Sequence, residues 1–135
     1  MYKALSAYAS SGQVVTANNL INFIKDYDKP CNGISLENGN TIEIVCPGVY
    51  FVSCMVTLTA TAAGTFTIQL LNNGTAIPGA LASTTVAEGS VYTLPISKLI
   101  RVNNSCPVVN SQANLTVQVT SGSGTITNAN ISVIQ

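Results

Sequence analysis

The feature that most constrains this chain is a two-residue alternation of apolar and polar side chains. In Ala113-Asn114-Leu115-Thr116-Val117-Gln118-Val119-Thr120, the residues Leu115, Val117 and Val119 fall on one side. Asn114, Thr116, Gln118 and Thr120 fall on the other. Successive side chains of a strand point to opposite faces, so such a segment is a strand with one buried face. Thr65-Phe66-Thr67-Ile68-Gln69-Leu70 repeats the pattern, as do residues 40–44 and the closing stretch 125–135. Phe66, Ile68, Leu115 and Val117 are therefore candidate core residues.

One strand breaks the pattern. In Val49-Tyr50-Phe51-Val52-Ser53-Cys54-Met55-Val56-Thr57-Leu58, the side chains of Tyr50, Val52, Cys54 and Val56 share one face and join the candidate core. Phe51 and Met55 lie on the opposite face with Ser53 and Thr57. Large apolar residues on both faces mark a strand that is central or covered from outside. The cover is a loop of the same subunit or a second subunit; we take Phe51 and Met55 as candidate subunit-contact residues.

Turn signals punctuate the chain at fairly regular spacing: Asn38-Gly39, Pro47-Gly48, Asn73-Gly74, Pro78-Gly79 and Ser121-Gly122-Ser123-Gly124. Asn-Gly between apolar runs predicts a tight hairpin, because both residues tolerate positive φ. No run of Ala, Leu, Glu and Lys favours helix, and residues 17–27 are read as a strand. Pro95 lacks a ladder donor and predicts an edge or a bulge within 91–102. Asp26-Tyr27-Asp28 reads as a solvated loop before Lys29-Pro30. Eight to ten short antiparallel strands across residues 1–135 predict a single all-β domain, a sandwich or jelly roll.

Composition narrows the function. Charged residues make up 7% of the 135, against about 25% in an ordinary domain. Hydrophobic content is an ordinary 47%, and Ser, Thr and Asn supply about 31%. Five basic residues cannot neutralise many phosphates, so no nucleic-acid partner is expected. Lys98 and Arg101, three apart, point to opposite faces and form no patch. No histidine is present, which removes a Ser-His-Asp triad, a Cys-His pair and imidazole metal ligation. The carboxylates Asp26, Asp28, Glu37, Glu43 and Glu88 are dispersed. Neither enzymatic activity nor a cofactor or metal is expected.

No apolar run reaches the roughly eighteen residues of a membrane-spanning helix, and no signal peptide is visible at the start. A net charge of zero also removes the repulsion that keeps copies apart. Such a chain either has well-made polar faces or hides surface against copies of itself.

The cysteines are Cys31, Cys46, Cys54 and Cys106, with no C-x-x-C pair. Four cysteines allow two disulfides in three connectivities. Cys54 sits mid-strand and reads as a small core residue. Cys31 and Cys106, beside Pro30 and Pro107, are the candidate bridge; the alternative is buried or loop thiols.

At Pro47-Gly48-Val49-Tyr50-Phe51-Val52 the sequence resembles the strand-entry signature of C1q/TNF-like heads, in a shortened Pro-Gly-x-Tyr form. Leu70-Leu71-Asn72-Asn73-Gly74-Thr75-Ala76-Ile77-Pro78-Gly79 is similar to a stretch in the bacterial branch of that family. That branch comprises the C-terminal heads of collagen-like spore-surface (exosporium) glycoproteins of Bacillus and Clostridium. The resemblance implies a ten-strand jelly roll in two five-strand sheets and a compact homotrimer beside a collagen-like stalk. It also implies an extracellular location on the spore surface, and an outer sheet ending on residues 91–102, with Pro95 at the edge. No Gly-x-y stalk repeat lies within this chain. The expected function is that of a non-enzymatic structural trimerisation head. The alternative is a phage fibre tip or adhesin-like head that binds a host receptor or a surface glycan.

Overall fold

The computed structural model describes residues 3–9, 11–28, 33–102 and 113–135. Among the described residues eleven strands form: β1 (Ala4–Tyr8), β2 (Gln13–Val15), β3 (Ile24–Asp28), β4 (Ile34–Glu37), β5 (Thr41–Ile44) and β6 (Gly48–Ala60). They continue with β7 (Gly64–Asn72), β8 (Thr75–Val86), β9 (Val91–Val102), β10 (Ala113–Ser121) and β11 (Gly124–Ile134). No helix occurs among the described residues.

The strands make two antiparallel sheets. One has six strands, in the order β3-β1-β11-β6-β9 with β2 also paired to β11; the other runs β4-β5-β10-β7-β8. Successive strands change sheet between β3 and β4, β5 and β6, β6 and β7, β8 and β9, β9 and β10, and β10 and β11. That interleaving is a jelly roll, one of the two all-β arrangements the alternation allows and the one the resemblance implies, with one strand beyond its ten.

The inward faces meet in one core. Tyr50, Val52, Cys54, Val56, Phe66, Ile68, Leu115 and Val117 are all at most 1% exposed. The Pro-Gly-x-Tyr entry has a local physical reason. Tyr50 is buried, and its hydroxyl donates to the Cys46 carbonyl at 2.8 Å, closing the Cys46-Pro47-Gly48 turn on itself. Gly48 has φ +152°, and a Cβ there would run into the Gln135 side-chain amide. The Asn73-Gly74 turn joins β7 to β8 as a two-residue hairpin, with φ of 52° and 78°.

Two sequence readings need correction. The expected strand over residues 17–27 is not continuous. Residues 16–23 run as an irregular strap along β10, where Asn18 and Ile21 N–H groups donate to the Val119 and Val117 carbonyls. Only β3 is regular. The strap can bury Ile21 and Phe23 because Asn18 adopts a positive φ of 73° and turns the chain. Asp26-Tyr27-Asp28, read as a loop, belongs to β3: pairing with β1 satisfies its backbone at the sheet edge. Cys31 and Cys106 lie outside the described residues. Cys46 and Cys54 are free thiols.

A candidate assembly surface

The two outer faces differ in chemistry. The outward face of the five-stranded sheet is built from hydroxyls and amides. Thr67, 9% exposed, shares hydrogen bonds of 2.9 Å with the Ser83 and Ser121 hydroxyls. Gln69 places its amide nitrogen 2.9–3.0 Å from the carbonyls of Leu70, Ile77 and Ala80, which caps the bulge that β8 makes opposite β7. Among the described residues, Leu81 is the one large hydrophobic residue of this face that stands exposed.

The outward face of the six-stranded sheet carries apolar rows. Strand pairing sets Ala4, Ile134, Phe51 and Leu99 side by side across β1, β11, β6 and β9. A second row runs Ile24, Tyr8, Asn130, Met55, Pro95. Between them lies a hydroxyl row, Ser6, Ser132, Ser53 and Ser97, bounded by Tyr27. Phe51 is 42% exposed, Met55 45% and Leu99 64%. An exposed apolar patch of several aligned strands marks an interaction surface, because isolated exposed apolar residues do not line up this way.

Phe51 and Met55 thus stand on the side of β6 that faces away from the core, without cover from the same chain among the described residues. Their companions Leu99, Ile134, Tyr8 and Ile24 were missed in the sequence. The signal was there: Leu99-Ile100 and Val133-Ile134 are adjacent apolar pairs, and in a strand one member of such a pair faces outward. What the sequence could not reveal is that these outward members share rows with Phe51 and Met55. Pro95 is exposed on β9, an edge strand, opposite Met55.

Electrostatics contributes little here. Lys25 and Asp28 form an ion pair at 3.1 Å in solvent, which is worth a fraction of a kcal/mol at best. Among the described residues no three of His, Cys, Asp and Glu come together. Burial pushes the Cys54 thiol up to about 12, and burial with the neighbouring Cys46 raises the Tyr50 phenol. Lys98 and Arg101 lie on opposite faces of β9, as their spacing predicts. A groove of about 330 Å³ runs between β8 and β9, walled by Ile77, Pro78, Leu99 and Ile100, with Asn72, Thr75 and Arg101 as polar members.

No family model matches the chain, and no curated protein matches its sequence. Solved structures do match its shape. The Eiger TNF of S. frugiperda superposes with a TM-score of 0.73 at 12% identity, over 99% of this chain and 92% of that one. The globular domain of the zebrafish complement 1qA protein gives 0.72 at 10% identity, over 97% and 94%. PRD1 vertex protein P5 gives 0.64 at 17% identity, over 98% and 96%. Likeness over whole chains at such low identity is likeness of fold, and the fold of this chain is the TNF/C1q jelly roll.

Proposed function

We propose that this chain is a non-enzymatic structural head that assembles as a homotrimer, three jelly rolls packing about an axis through the outward face of their six-stranded sheets. One observation carries the reading: the aligned rows Ile134-Phe51-Leu99 and Tyr8-Met55-Pro95 on a sheet face without cover among the described residues. Burying a large apolar side chain contributes about 1.5–3 kcal/mol, so several per protomer suffice to offset the entropy of association. The near-absence of charge fits the same reading, since a surface partly hidden against copies needs less repulsion. In this trimer β9 closes the inner sheet, whereas the sequence resemblance placed it in an outer one. The reason is that β9 pairs with β6, the strand that bears Phe51 and Met55.

The finer proposal is that the head belongs to a collagen-like protein of the bacterial spore surface, outside the cell, beside a stalk in the parent protein. The Pro47-Gly48-x-Tyr50 entry and the Leu70 to Gly79 stretch support it. A second reading, a fibre-tip or adhesin-like head that recognises a receptor or glycan, draws on the likeness to PRD1 vertex protein P5. Sedimentation equilibrium at micromolar concentration tests the assembly: a mass of three chains is expected, and a monomer overturns it. The parent gene separates the two readings, with Gly-x-y repeats upstream for the first and tail genes alongside for the second.

A further inference from the structure

Two charged residues at opposite edges of the six-stranded sheet stand outside any ion pair among the described residues. The first is Asp26. In β3 the pairing with β1 jumps from Ser6↔Tyr27 to Ala7↔Lys25, so Asp26 is the bulged residue, and it is exposed. A bulge turns a side chain away from the regular ladder. Its neighbours Ile24 and Tyr27 are about half exposed on the apolar face. The one ion pair among the described residues joins Lys25 to Asp28 and leaves Asp26 out.

The second is Arg101, exposed on β9 opposite Val49. It is the charged member of the β8/β9 groove, whose other walls include Ile77, Pro78, Leu99 and Ile100. No carboxylate lines that groove. Lys98 lies farther along the same edge against Gly79, also without an ion pair among the described residues. One edge of the sheet therefore presents an apolar groove with Arg101 in its lining, and the other the strand Ile24-Lys25-Asp26-Tyr27-Asp28, whose Asp26 stands outside the Lys25–Asp28 ion pair.

A three-fold ring joins two different patches head to tail, unlike a two-fold dimer, which joins a patch to itself. Pairing β9 with β9 would need a continuing ladder, and Pro95 has no N–H to give to one. Side-chain docking of unlike edges avoids that problem. We propose that the β8/β9 groove of one copy receives β3 of the next, with Asp26 of that copy meeting Arg101 and Ile24 and Tyr27 covering Leu99. This rests on the trimer reading above and names the edges that close the ring.

Charge reversal with exchange tests it. Arg101→Glu and Asp26→Arg should each weaken association by about tenfold or more, and the double variant should restore most of the loss, as charge pairs across interfaces do. All three are read by sedimentation equilibrium, with circular dichroism showing that each variant is folded. Raising sodium chloride should weaken the wild type more than Asp26→Asn/Arg101→Gln, because screening acts on the pair. Single reversals that associate like the wild type, or a double variant no better than the worse single, overturn this pairing. If the wild type is a trimer and Phe51→Asp disperses it while the charge variants do nothing, only this pairing fails. If the wild type is a monomer, the trimer reading itself fails.

Discussion

Phe51 and Leu99 stand opposite each other across β6 and β9 on the outward face of the sheet, 42% and 64% exposed. Each has a buried neighbour, Tyr50 or Ile100, pointing the other way into the core. The pair therefore adds little to the stability of an isolated protomer, and in the proposed assembly its value lies in what it would bury between protomers. That separation of roles makes the surface testable without unfolding the chain.

If the proposed trimer forms, replacing Phe51 by Asp should convert it to monomer while leaving the fold intact. An exposed position tolerates the carboxylate in the monomer, whereas burying an unpaired charge in an interface costs several kcal/mol. Light scattering reads the mass and circular dichroism the strand content. A folded Phe51→Asp trimer would remove this face from consideration.

Tyr50→Phe should lower stability by about 1 kcal/mol, because it deletes the hydrogen bond to the Cys46 carbonyl without opening a large cavity. Tyr50→Ala should cost about 3–5 kcal/mol, since it also empties the core around a fully buried ring. Urea denaturation measures both. Equal losses for the two would show that the hydroxyl carries the whole effect and the ring none.

Alkaline pH should destabilise the fold through Cys54. Its thiol is held up to about 12 from an ordinary value of 9.0 by burial. Above the ordinary value the unfolded chain gives up a proton that the folded chain keeps. The unfolded state gains, and stability falls as pH rises between those values, by up to about 1.4 kcal/mol per pH unit. Tyr50, whose pKa is also raised, adds to the fall in the same direction once pH passes its ordinary value. Cys54→Ala should show a shallower decline between about pH 9 and pH 11 than the wild type. Parallel declines would exclude Cys54 as a source.

Gly122→Ala should be clearly more damaging than Gly12→Ala. Both glycines have positive φ, 91° and 86°, so both lose some backbone freedom on substitution. A Cβ at Gly122 would stand 2.8 Å from Phe66 Cδ2 and 2.9 Å from the Thr65 carbonyl, whereas one at Gly12 meets nothing within 4 Å. The strain term alone is about 1 kcal/mol, and the clash adds about 1–3 kcal/mol. Thermal melts of the two variants separate the terms, and equal melting temperatures would show that the Gly122 site relaxes freely.

Much of the fold was legible in the residues. The alternation of Leu115, Val117 and Val119 with polar neighbours assigns a strand and its buried face in one step, because side-chain direction has a period of two. Asn73-Gly74 announces its hairpin because few other residue pairs accept two positive φ values. Residues 17–27 misled for the opposite reason. Leu20, Ile21, Phe23 and Ile24 have no clean period, and a strap bound to β10 by a few backbone hydrogen bonds leaves no periodic trace. The candidate assembly surface was half legible. Phe51 and Met55 were visible as apolar residues on the wrong side of a core strand.

By itself, the sequence determined that the chain is all β, which side of most strands is buried, and that charge and imidazole chemistry play little part. Those properties are local: they follow from dihedral preference, side-chain period and composition. Tertiary structure decided which strands are neighbours, and with that everything about the surface. Only the pairing of β6 with β9 and β11 sets Phe51 beside Leu99 and Ile134. Only the sheet order sends Asp26 and Arg101 to opposite edges. Contacts between residues far apart in the chain are fixed by how the two sheets pack and register, and no local pattern encodes that choice.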